Sequence, residues 1–597
     1  MTEWAHPALL LLAGAALLPL LGGTAKKIFT VALPLAALAL CAAASRGSYA
    51  EFEFLGQQLA PWRVDRLSTL FSCVFSLMGV LGAVYAFHKN DARQQAAGLV
   101  YLGGALGVTL AGDLLTLFVF WELMALSAAA LVFAGKKPES GEAGLRYLLV
   151  HLFGGVCLLS GILLHAAGTG SVAFESMTAL SGSPACYLIL AGFLLNAAVP
   201  PLGAWLPDAY PRASVTGAVL LTAYTTKSAV YALMRGFPGA ELLIWLGAAM
   251  AVYGVIYAVL ENDARRLLAY HIISQVGYMV CGVGIGTQLA LNGAAAHASA
   301  HIIYKGLLFM GAGAVLEVTG KSRLSELGGL YRSMPATMAL YLVGALSISA
   351  FPLFSGFVSK AMVVSAAGES SAAVPFLLLT LASAGTFLHT GLKLPYYMFF
   401  WKDSGVRAQE PPQNMLAAMA LAALLCLLIG LFPQALYSLL PFPCDYRPYT
   451  ASHIVSSLGI LGFTALGFFM FLRRLDPEPG LSLDTDWFYR KGAAAFMNFL
   501  NGPFEKFCAA LHGIFFDRLP EKLSLASANP RAFMRILLLE GRLYFSGPGG
   551  EAVLRERLEA ARNVYPGDPH RYRPVGSTVL WVITFLLAYL ALYYLSN

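Results

Sequence analysis

Residues 289–318 read LALNGAAAHASAHIIYKGLLFMGAGAVLEV, an apolar stretch that carries three basic side chains near its middle. As a helix it is long enough to cross a bilayer, which takes about 20 apolar residues. His297, His301 and Lys305 follow one another at intervals of four, so they lie close to one helix face. A charge near the bilayer centre costs about 2.5–3.5 kcal/mol on insertion scales, so such groups face the bundle interior. We therefore predict that this helix forms part of a proton path.

The composition predicts an all-α polytopic membrane protein. Of 597 residues, 58% are hydrophobic and only 12% are charged, whereas a soluble protein carries about 25% charged residues. The net charge of +7 comes from basic residues in short loops and does not indicate a nucleic-acid partner. The eight cysteines are scattered and form neither a CxxC motif nor a Cys/His cluster. We expect no metal site and no cofactor on this chain.

Apolar segments predict about sixteen membrane spans, with boundaries uncertain by a few residues. They lie near residues 5–22, 26–45, 64–88, 93–112, 113–134, 142–168, 184–204, 213–236, 240–260, 264–287, 289–318, 334–366, 373–400, 412–432, 451–473 and 577–595. The first run has no basic region before it, so we expect a retained span and not a cleaved signal peptide.

The spans group into six predicted parts. These are an N-terminal three-helix segment (1–92), a first five-span set (93–236), a second five-span set (240–400), two further spans (412–473), a polar segment (474–576) and a final span (577–597).

Basic residues predict the orientation in the membrane. Most basic loop residues fall on one side of the predicted spans: Lys26, Lys27, Lys89, Arg93, Lys136, Lys137, Arg212, Arg265, Arg266, Lys321, Arg323, Arg332, Lys402, Arg407, Arg473 and Arg474. By the positive-inside rule this side faces the cytoplasm, so both termini face outward. We expect a multi-pass protein of a prokaryotic plasma (inner) membrane.

The two five-span sets predict an inverted repeat. Five is an odd number, so the second set has the opposite orientation. The fourth span of each set is interrupted, at Val199-Pro200-Pro201 in the first and at Phe351-Pro352 in the second. Paired proline and glycine breaks in inverted halves indicate a binding site at mid-membrane.

The polar segment 474–576 predicts an amphipathic cytoplasmic region. Phe504, Phe507 and Leu511 recur at helical spacing, as in a helix that lies along the membrane or a neighbouring subunit. A short helix packed on its own bundle is the alternative. We expect Gly502-Pro503 and Leu519-Pro520 to bound this helix.

Ionisable residues within spans are the candidate site. A proton path needs groups whose charge responds to burial and to neighbouring charges. The candidates in or near apolar spans are Glu122, His151, Lys227, His271, His297, His301, Lys305, Lys360 and Lys393. Some of them also have another interpretation, whereas a lone carboxylate such as Glu122 is hard to explain structurally. Lys360 and Lys393 could snorkel to an interface, His271 could be structural, and His297 with His301 could bind a metal.

Six motifs together resemble the antiporter-like subunits shared by Mrp-type cation/proton antiporters, respiratory complex I and membrane-bound hydrogenases. The motifs are FWELMALSA, PPLGAWLPDAYPRA, LLTAYTTKSAVYALMR, NDARRLLAYHIISQVGYM, HASAHIIYKGLLFMGAG and AFPLFSGFVSK, within residues 64–400. AYHIISQVGYM and DTDWFYRK are most similar to the D-type branch of the Mrp antiporter subunits. The tail resembles that of the complex I subunit with a lateral helix.

The resemblance implies two linked half-channels and a central polar axis. It implies proton translocation by Glu122 on the fifth span, Lys227 on the eighth, His297, His301 and Lys305 on the eleventh, and Lys360 on the twelfth. His151, His271 and Lys393 are possible additional relay residues.

One position departs from the family pattern. The family usually has a lysine on the seventh span that pairs with the fifth-span glutamate, and Asn196 stands at that place here. Either another group serves, with His151 and Lys227 as candidates, or the first half-channel is altered or silent. Our hypothesis is that His151 is the substitute, since it lies on the adjacent sixth span.

Three functions remain open from the sequence. The first is the proton-translocating subunit of a multisubunit cation/proton antiporter, with protons and Na⁺ as the ions. The second is the proton-pumping subunit of a redox enzyme resembling complex I or a hydrogenase, in which other subunits carry the electron chemistry. The third is a structural or ion-driven uptake partner with degenerate channels. Each implies other membrane subunits and the lipid bilayer as partners, and no catalytic site on this chain.

Overall fold

Long apolar helices make up most of the chain. The computed structural model describes residues 6–177, 182–370, 372–474, 476–477, 484–546, 551–567 and 575–596. These residues form two compact units, the first extending to Asp486 and the second beginning at Trp487.

The first unit begins with two helices, four short strands and five further helices. In order these are α1 (Pro7–Leu17), α2 (Gly23–Ala43), β1 (Gly47–Tyr49), β2 (Phe52–Phe54), β3 (Gln57–Leu59), β4 (Trp62–Val64), α3 (Arg66–Tyr85), α4 (Ala92–Leu110), α5 (Leu114–Phe133), α6 (Pro138–Thr169) and α7 (Pro184–Asn196). The strands pair antiparallel, β1 with β4 and β2 with β3, within one loop of this helical unit.

The rest of the first unit is helical. It contains α8 (Trp205–Ala209), α9 (Val215–Leu221), α10 (Thr225–Gly236), α11 (Glu241–Leu260), α12 (Ala264–Ile285), α13 (Gln288–Thr319), α14 (Pro335–Ile348), α15 (Ser355–Glu369), α16 (Ala373–Thr386), α17 (Gln413–Leu431), α18 (Pro433–Tyr437) and α19 (Ala451–Met470). Two π-helical segments, Phe387–Lys393 and Tyr396–Phe400, extend α16.

The second unit contains six α-helices. They are α20 (Asp486–Phe499), α21 (Glu505–His512), α22 (Leu519–Ala528), α23 (Pro530–Phe545), α24 (Glu551–Asn563) and α25 (Val575–Ser596). π-Helical segments join α20 to α21 and α21 to α22. Our prediction that Gly502-Pro503 and Leu519-Pro520 end a helix is therefore wrong. Pro503 lies inside a π turn, and Pro520 lies in the first turn of α22, where its missing N–H is tolerated.

The described helices confirm a polytopic membrane protein. Eleven of them are long and apolar enough to cross a bilayer. The other five predicted spans correspond to short, interrupted or less apolar helices: α1, α4, α7 with α8, α9 with α10, and α14 with α15. The count of sixteen therefore stays a prediction.

Helix α13 lies at the centre of the first unit. Its residues from Ala290 to Val315 are all buried. Thr287 caps its first turn by accepting a hydrogen bond from the amide of Ala290, and Gly320 ends it in a left-handed conformation (φ 69°). The helix that carries the three basic side chains is thus enclosed by other helices along most of its length.

Both predicted helix breaks are present, and their backbones have the same geometry. Ala198 (φ 61°) and Ala350 (φ 56°) each lie two residues before a proline. The following amides, of Val199 and Phe351, each donate at 3.1 Å to the carbonyl five residues earlier. A positive φ is strained for alanine, so the surrounding structure holds both turns in place.

The loops beside α5 and α12 also match. Asp113 caps α5 and forms an isolated antiparallel bridge with Ala173, and Asp263 caps α12 and bridges Arg323. The partners are 60 positions apart in both cases. A duplicated ancestral segment would produce such pairs, although the inverted repeat itself stays a prediction.

The sequence did not indicate the interruption between α9 and α10. The eighth predicted span breaks at Thr222–Tyr224, just before Lys227. The Lys227 ammonium donates to the freed carbonyl oxygen of Thr222 at 2.7 Å. Lys227, a candidate proton carrier, therefore also supplies the hydrogen bond that the Thr222 carbonyl loses at this break.

Candidate functional site

Lys305 and His271 form the centre of a buried hydrogen-bond network between α13, α12 and α16. Lys305 Nζ lies 3.2 Å from His271 Nδ1, and His271 Nε2 lies 3.1 Å from Thr386 Oγ1. Because a neutral imidazole has one donor and one acceptor, Lys305 donates to Nδ1 and the Nε2 proton donates to Thr386. His271 is thus part of this network and not a separate structural residue.

His297 joins the same network through Gln275. Its Nε2 lies 3.2 Å from Gln275 Oε1, and its Nδ1 lies 3.4 Å from Ser359 Oγ on α15. Ser359 donates its own proton to the carbonyl of Ser355, so its oxygen is free to accept. His297 can hold a second ring proton without losing either contact.

Lys360 lies on the far side of His297. Its ammonium lies 5.7 Å from the centre of the Tyr278 ring, and that ring lies 5.9 Å from the His297 ring. Lys360 is only 3% exposed, and its Nζ has no hydrogen-bond partner among the described residues. The snorkelling alternative requires this side chain to reach an interface. The side chain is instead enclosed by the protein.

His301 lies between His297 and Lys305 on α13. Its ring is 6.1 Å from that of His297, and neither nitrogen has a hydrogen-bond partner in the described part of the chain. Lys227 is buried on α10, and α10 packs against α13.

The buried basic side chains described so far form a row that comprises Lys360, His297, His301, Lys305 and His271. This row continues along the π-helical segment after α16. The His389 ring lies 4.9 Å from the His271 ring, and His389 Nδ1 lies 2.7 Å from Thr390 Oγ1. One turn further, Lys393 is buried and donates to the carbonyls of Val259 (2.6 Å) and Glu261 (3.0 Å). Lys393 therefore does not snorkel, because its charge is held by backbone carbonyls at the end of α11.

A polar cavity lies where this row ends. It measures about 970 Å³, and charged residues of several loops line it, among them Glu261, Arg265, Arg266, Lys137 and Arg323. Glu261 also faces Arg266 at 3.4 Å. Since Lys393 donates to the backbone of Glu261, which lines this cavity, the buried row ends beside the cavity, on the side that the basic loops predict to be cytoplasmic.

Glu122 lies apart from this network. Its carboxylate packs on α6 at Gly155, where an added Cβ atom would clash with Glu122 Oε1. It forms no ion pair with a basic side chain among the described residues. Only glycine at position 155 leaves room for the carboxylate in this place.

Glu122, His151 and Asn196 all belong to the first five-span set, and we call these three residues the first half-site. Neither His151 nor Asn196 pairs with Glu122 among the described residues. His151 is one turn before Gly155 on α6, and its ring stacks on Tyr147 at 3.8 Å. His151 Nε2 and both amide atoms of Asn196 are buried without a hydrogen-bond partner among the described residues. His151 as the substitute partner of Glu122 stays a prediction.

His151 and His301 hold the same place in two equal helices. Both α6 and α13 have 32 residues, and each histidine follows the first residue of its helix by 13 positions. His151 in the first five-span set therefore corresponds in position to His301 in the second set. Both histidines are buried, and His301 belongs to the row.

Four residues that take part in the hydrogen bonds or ring contacts of the network were missed from the sequence: Gln275, Ser359, Thr386 and His389. His389 and Lys393 are four residues apart, the same spacing as His301 and Lys305, and this signal could have identified His389. Nothing local marks Gln275 or Thr386, since their roles depend on helix packing. The described residues contain no group of three or more His, Cys, Asp or Glu side chains arranged to hold a metal.

Comparisons with known proteins identify a family of similar membrane subunits. The family described as NADH:quinone oxidoreductase/Mrp antiporter, TM, matches residues 111–388. The D-type subunit of the Na⁺/H⁺ antiporter of Alkalihalophilus pseudofirmus is 32% identical over 340 residues, 52% of this chain and 69% of the relative. The N-type subunit of the NADH-quinone oxidoreductase of Desulforudis audaxviator is 32% identical over 422 residues, 63% of this chain and 84% of the relative.

A solved structure shows the same fold. A chain of the Mrp complex from Dietzia sp. DQ12-45-1b superposes with a TM-score of 0.68 at 25% identity, covering 77% of this chain and 98% of that one.

Proposed function

Since the chain belongs to the family of NADH:quinone oxidoreductase and Mrp antiporter membrane subunits, we propose that it translocates protons within a multisubunit cation/proton antiporter. The observation that carries this proposal is the row of buried basic groups from Lys360 to Lys393. The row links the second helix break to the polar cavity at Glu261.

The contacts of the row suit proton transfer. Lysine and histidine are the groups of the row that accept and release a proton: Lys305 donates to His271 Nδ1, and the His389 ring lies 4.9 Å from the His271 ring. The Thr386 hydroxyl and the Gln275 amide hold the histidine rings in place by hydrogen bonds. A charge on one member raises the cost of a charge on the next, since neighbouring like charges repel strongly in a buried site. Protons therefore move along the row one at a time.

The antiporter assignment rests on similarity. The Alkalihalophilus pseudofirmus relative is a D-type subunit of an Na⁺/H⁺ antiporter, and the Dietzia neighbour belongs to an Mrp complex. We infer a D-type role for this chain, Na⁺ as the coupled cation, other membrane subunits as partners, and a prokaryotic inner membrane as the location.

The proposal is tested with the purified native complex in proteoliposomes that contain a pH-sensitive dye. An imposed Na⁺ gradient should move protons in the absence of any electron donor, and dissipating the gradient should stop them. A rate of proton movement that does not depend on the Na⁺ gradient would contradict the antiporter assignment.

A second candidate function is a proton-pumping subunit of a redox complex. It is favoured by the N-type relative from Desulforudis audaxviator, of which this chain covers the larger share, 84%. In this case protons move only when an electron donor is oxidised, and the purified complex contains subunits with redox cofactors. The same proteoliposomes, given a donor and no Na⁺ gradient, separate the two functions.

A further inference from the structure

The second unit contains a cavity that is lined by arginines and by apolar side chains. It measures about 870 Å³ and lies between α23, α24 and the apolar helix α25. Four arginines line it: Arg531, Arg535 and Arg542 on α23, and Arg557 on α24. None of the described residues that line it is acidic.

The arginines of α23 share one face of that helix. Arg531, Arg535 and Arg542 are spaced by four and seven residues, which brings them to the same side. Leu538, on this face, also lines the cavity. The helix thus presents positive charge and apolar surface to the cavity together.

These four guanidinium groups have no carboxylate partner among the described residues. The one acidic residue of α23, Glu540, pairs with Arg562 at 2.5 Å. Glu551 of α24 pairs with Arg555 at 3.3 Å. The nearby ion pairs therefore involve arginines outside the cavity. The four arginines that line the cavity keep their positive charge without a carboxylate partner among the described residues.

The opposite wall belongs to the start of a membrane-spanning helix. Ser577, Trp581 and Phe585 line the cavity from α25 and lie one turn apart on one face. At about 1.5 Å per residue, they lie about 3, 9 and 15 Å from the first residue of α25. The wall that α25 contributes from Ser577 to Phe585 is therefore about 12 Å long and carries two aromatic rings.

We propose that this cavity binds one anionic phospholipid, with the phosphate at the four arginines and an acyl chain along Trp581 and Phe585. Guanidinium groups bind phosphate oxygens through two parallel N–H donors, which suits a phosphodiester. Trp581 and Phe585 are 62% and 68% exposed, and an acyl chain would cover them. A free phosphate ion would use the arginines and leave this apolar wall uncovered.

Quenching of Trp581 fluorescence tests the proposal, because brominated acyl chains quench a tryptophan only on contact. The full chain, in its native complex, is placed in bilayers with increasing fractions of brominated phosphatidylglycerol or brominated phosphatidylcholine. A Trp581→Phe variant measures the signal of the other tryptophans. We expect Trp581 to be half-quenched at about a tenfold lower fraction of the anionic lipid than of the zwitterionic one.

The triple variant R531Q/R535Q/R542Q should abolish this difference between the two lipids. The matched control K506Q/R518Q/K522Q removes the same charge from the same unit outside the cavity and should keep it. Should the triple variant fail to assemble, the single R535Q variant should reduce the preference about threefold.

Three results would overturn the proposal. Equal quenching by both lipids would show general membrane exposure. An unchanged tenfold preference in the triple variant would show that the arginines do not select the lipid. Absence of quenching by either lipid would show that protein covers Trp581.

Discussion

Lys305 Nζ and His271 Nδ1 lie 3.2 Å apart in the buried centre of the first unit. Two positive charges at this separation repel by about 5 kcal/mol at an effective dielectric constant of about 20. The pair therefore holds one positive charge at a time. We expect a proton that arrives at Lys305 to leave through His271 before the next one enters.

Lys305→Ala should reduce proton flux about 100-fold, the range expected for loss of a positioned proton donor. The alanine removes the ammonium that donates to His271 Nδ1 from α13. Flux is measured with a pH-sensitive dye in proteoliposomes that contain the native complex. Lys321→Ala, just beyond the end of α13, is the control and should keep the normal rate. A normal rate in the Lys305 variant would remove this lysine from the path.

His389→Gln should slow proton flux about tenfold while leaving assembly of the complex intact. The glutamine keeps a hydrogen-bonding side chain beside Thr390 but cannot carry a proton between His271 and the Lys393 end of the row. His165→Gln, near the end of α6 and outside the row, is the matched control. If both variants behave alike, the row does not continue through the π-helical segment.

Asn196→Lys should be tolerated only while Glu122 is present. A buried lysine without a partner is strongly destabilising, and a nearby carboxylate offsets part of the cost. A double-mutant cycle on thermal unfolding, with Asn196→Lys in the wild-type and Glu122→Gln backgrounds, should give a coupling of about 2 kcal/mol. Zero coupling would mean that positions 122 and 196 do not interact.

His151→Gln should slow proton flux if His151 serves as the partner of Glu122. Its Nε2 is buried and without a hydrogen-bond partner in the described residues, and it lies one helical turn from Gly155, against which Glu122 packs. We expect a decrease of about tenfold in the same flux measurement. A normal rate would reject His151 as the substitute and leave the first half-site without a proton partner.

The ion pair of Asp65 and Arg235 should make stability depend on pH. Burial raises the pKa of Asp65, but the Arg235 guanidinium at 2.7 Å and the hydrogen bond from the Ser68 amide outweigh it and hold this pKa below its ordinary value. The lowered pKa stabilises the folded state above the unfolded-state pKa of about 4. This contribution is lost as the pH falls through the lower, folded-state pKa.

Asp65→Asn tests this dependence, because asparagine keeps the helix cap of α3 and removes the charge. The wild-type complex should unfold at a higher temperature than the variant at pH 6, and the difference should shrink as the pH falls toward 3. A difference that is constant over this range would exclude the ion pair as its cause.

The sequence by itself determined the membrane fold and most of the candidate site. Long apolar runs can satisfy their backbone in lipid only as helices, so composition and length were sufficient. A charged residue in such a run is costly, so Glu122, Lys305 and Lys360 stood out without any structure. The proline-containing breaks were visible for the same reason, since proline cannot continue the helical hydrogen-bond pattern.

Only the tertiary structure decided which of these groups meet. Lys305 and His271 are 34 positions apart, and Thr386 is more than 100 positions beyond His271. Their contacts depend on how α12, α13 and α16 pack, and periodicity within one helix carries no information about its neighbours. The same packing separates Glu122 from the row, buries Lys393, and opens the cavity at Glu261. The sequence shows which charged residues lie in apolar segments and are therefore costly in free energy to bury. The fold determines which partner offsets that cost.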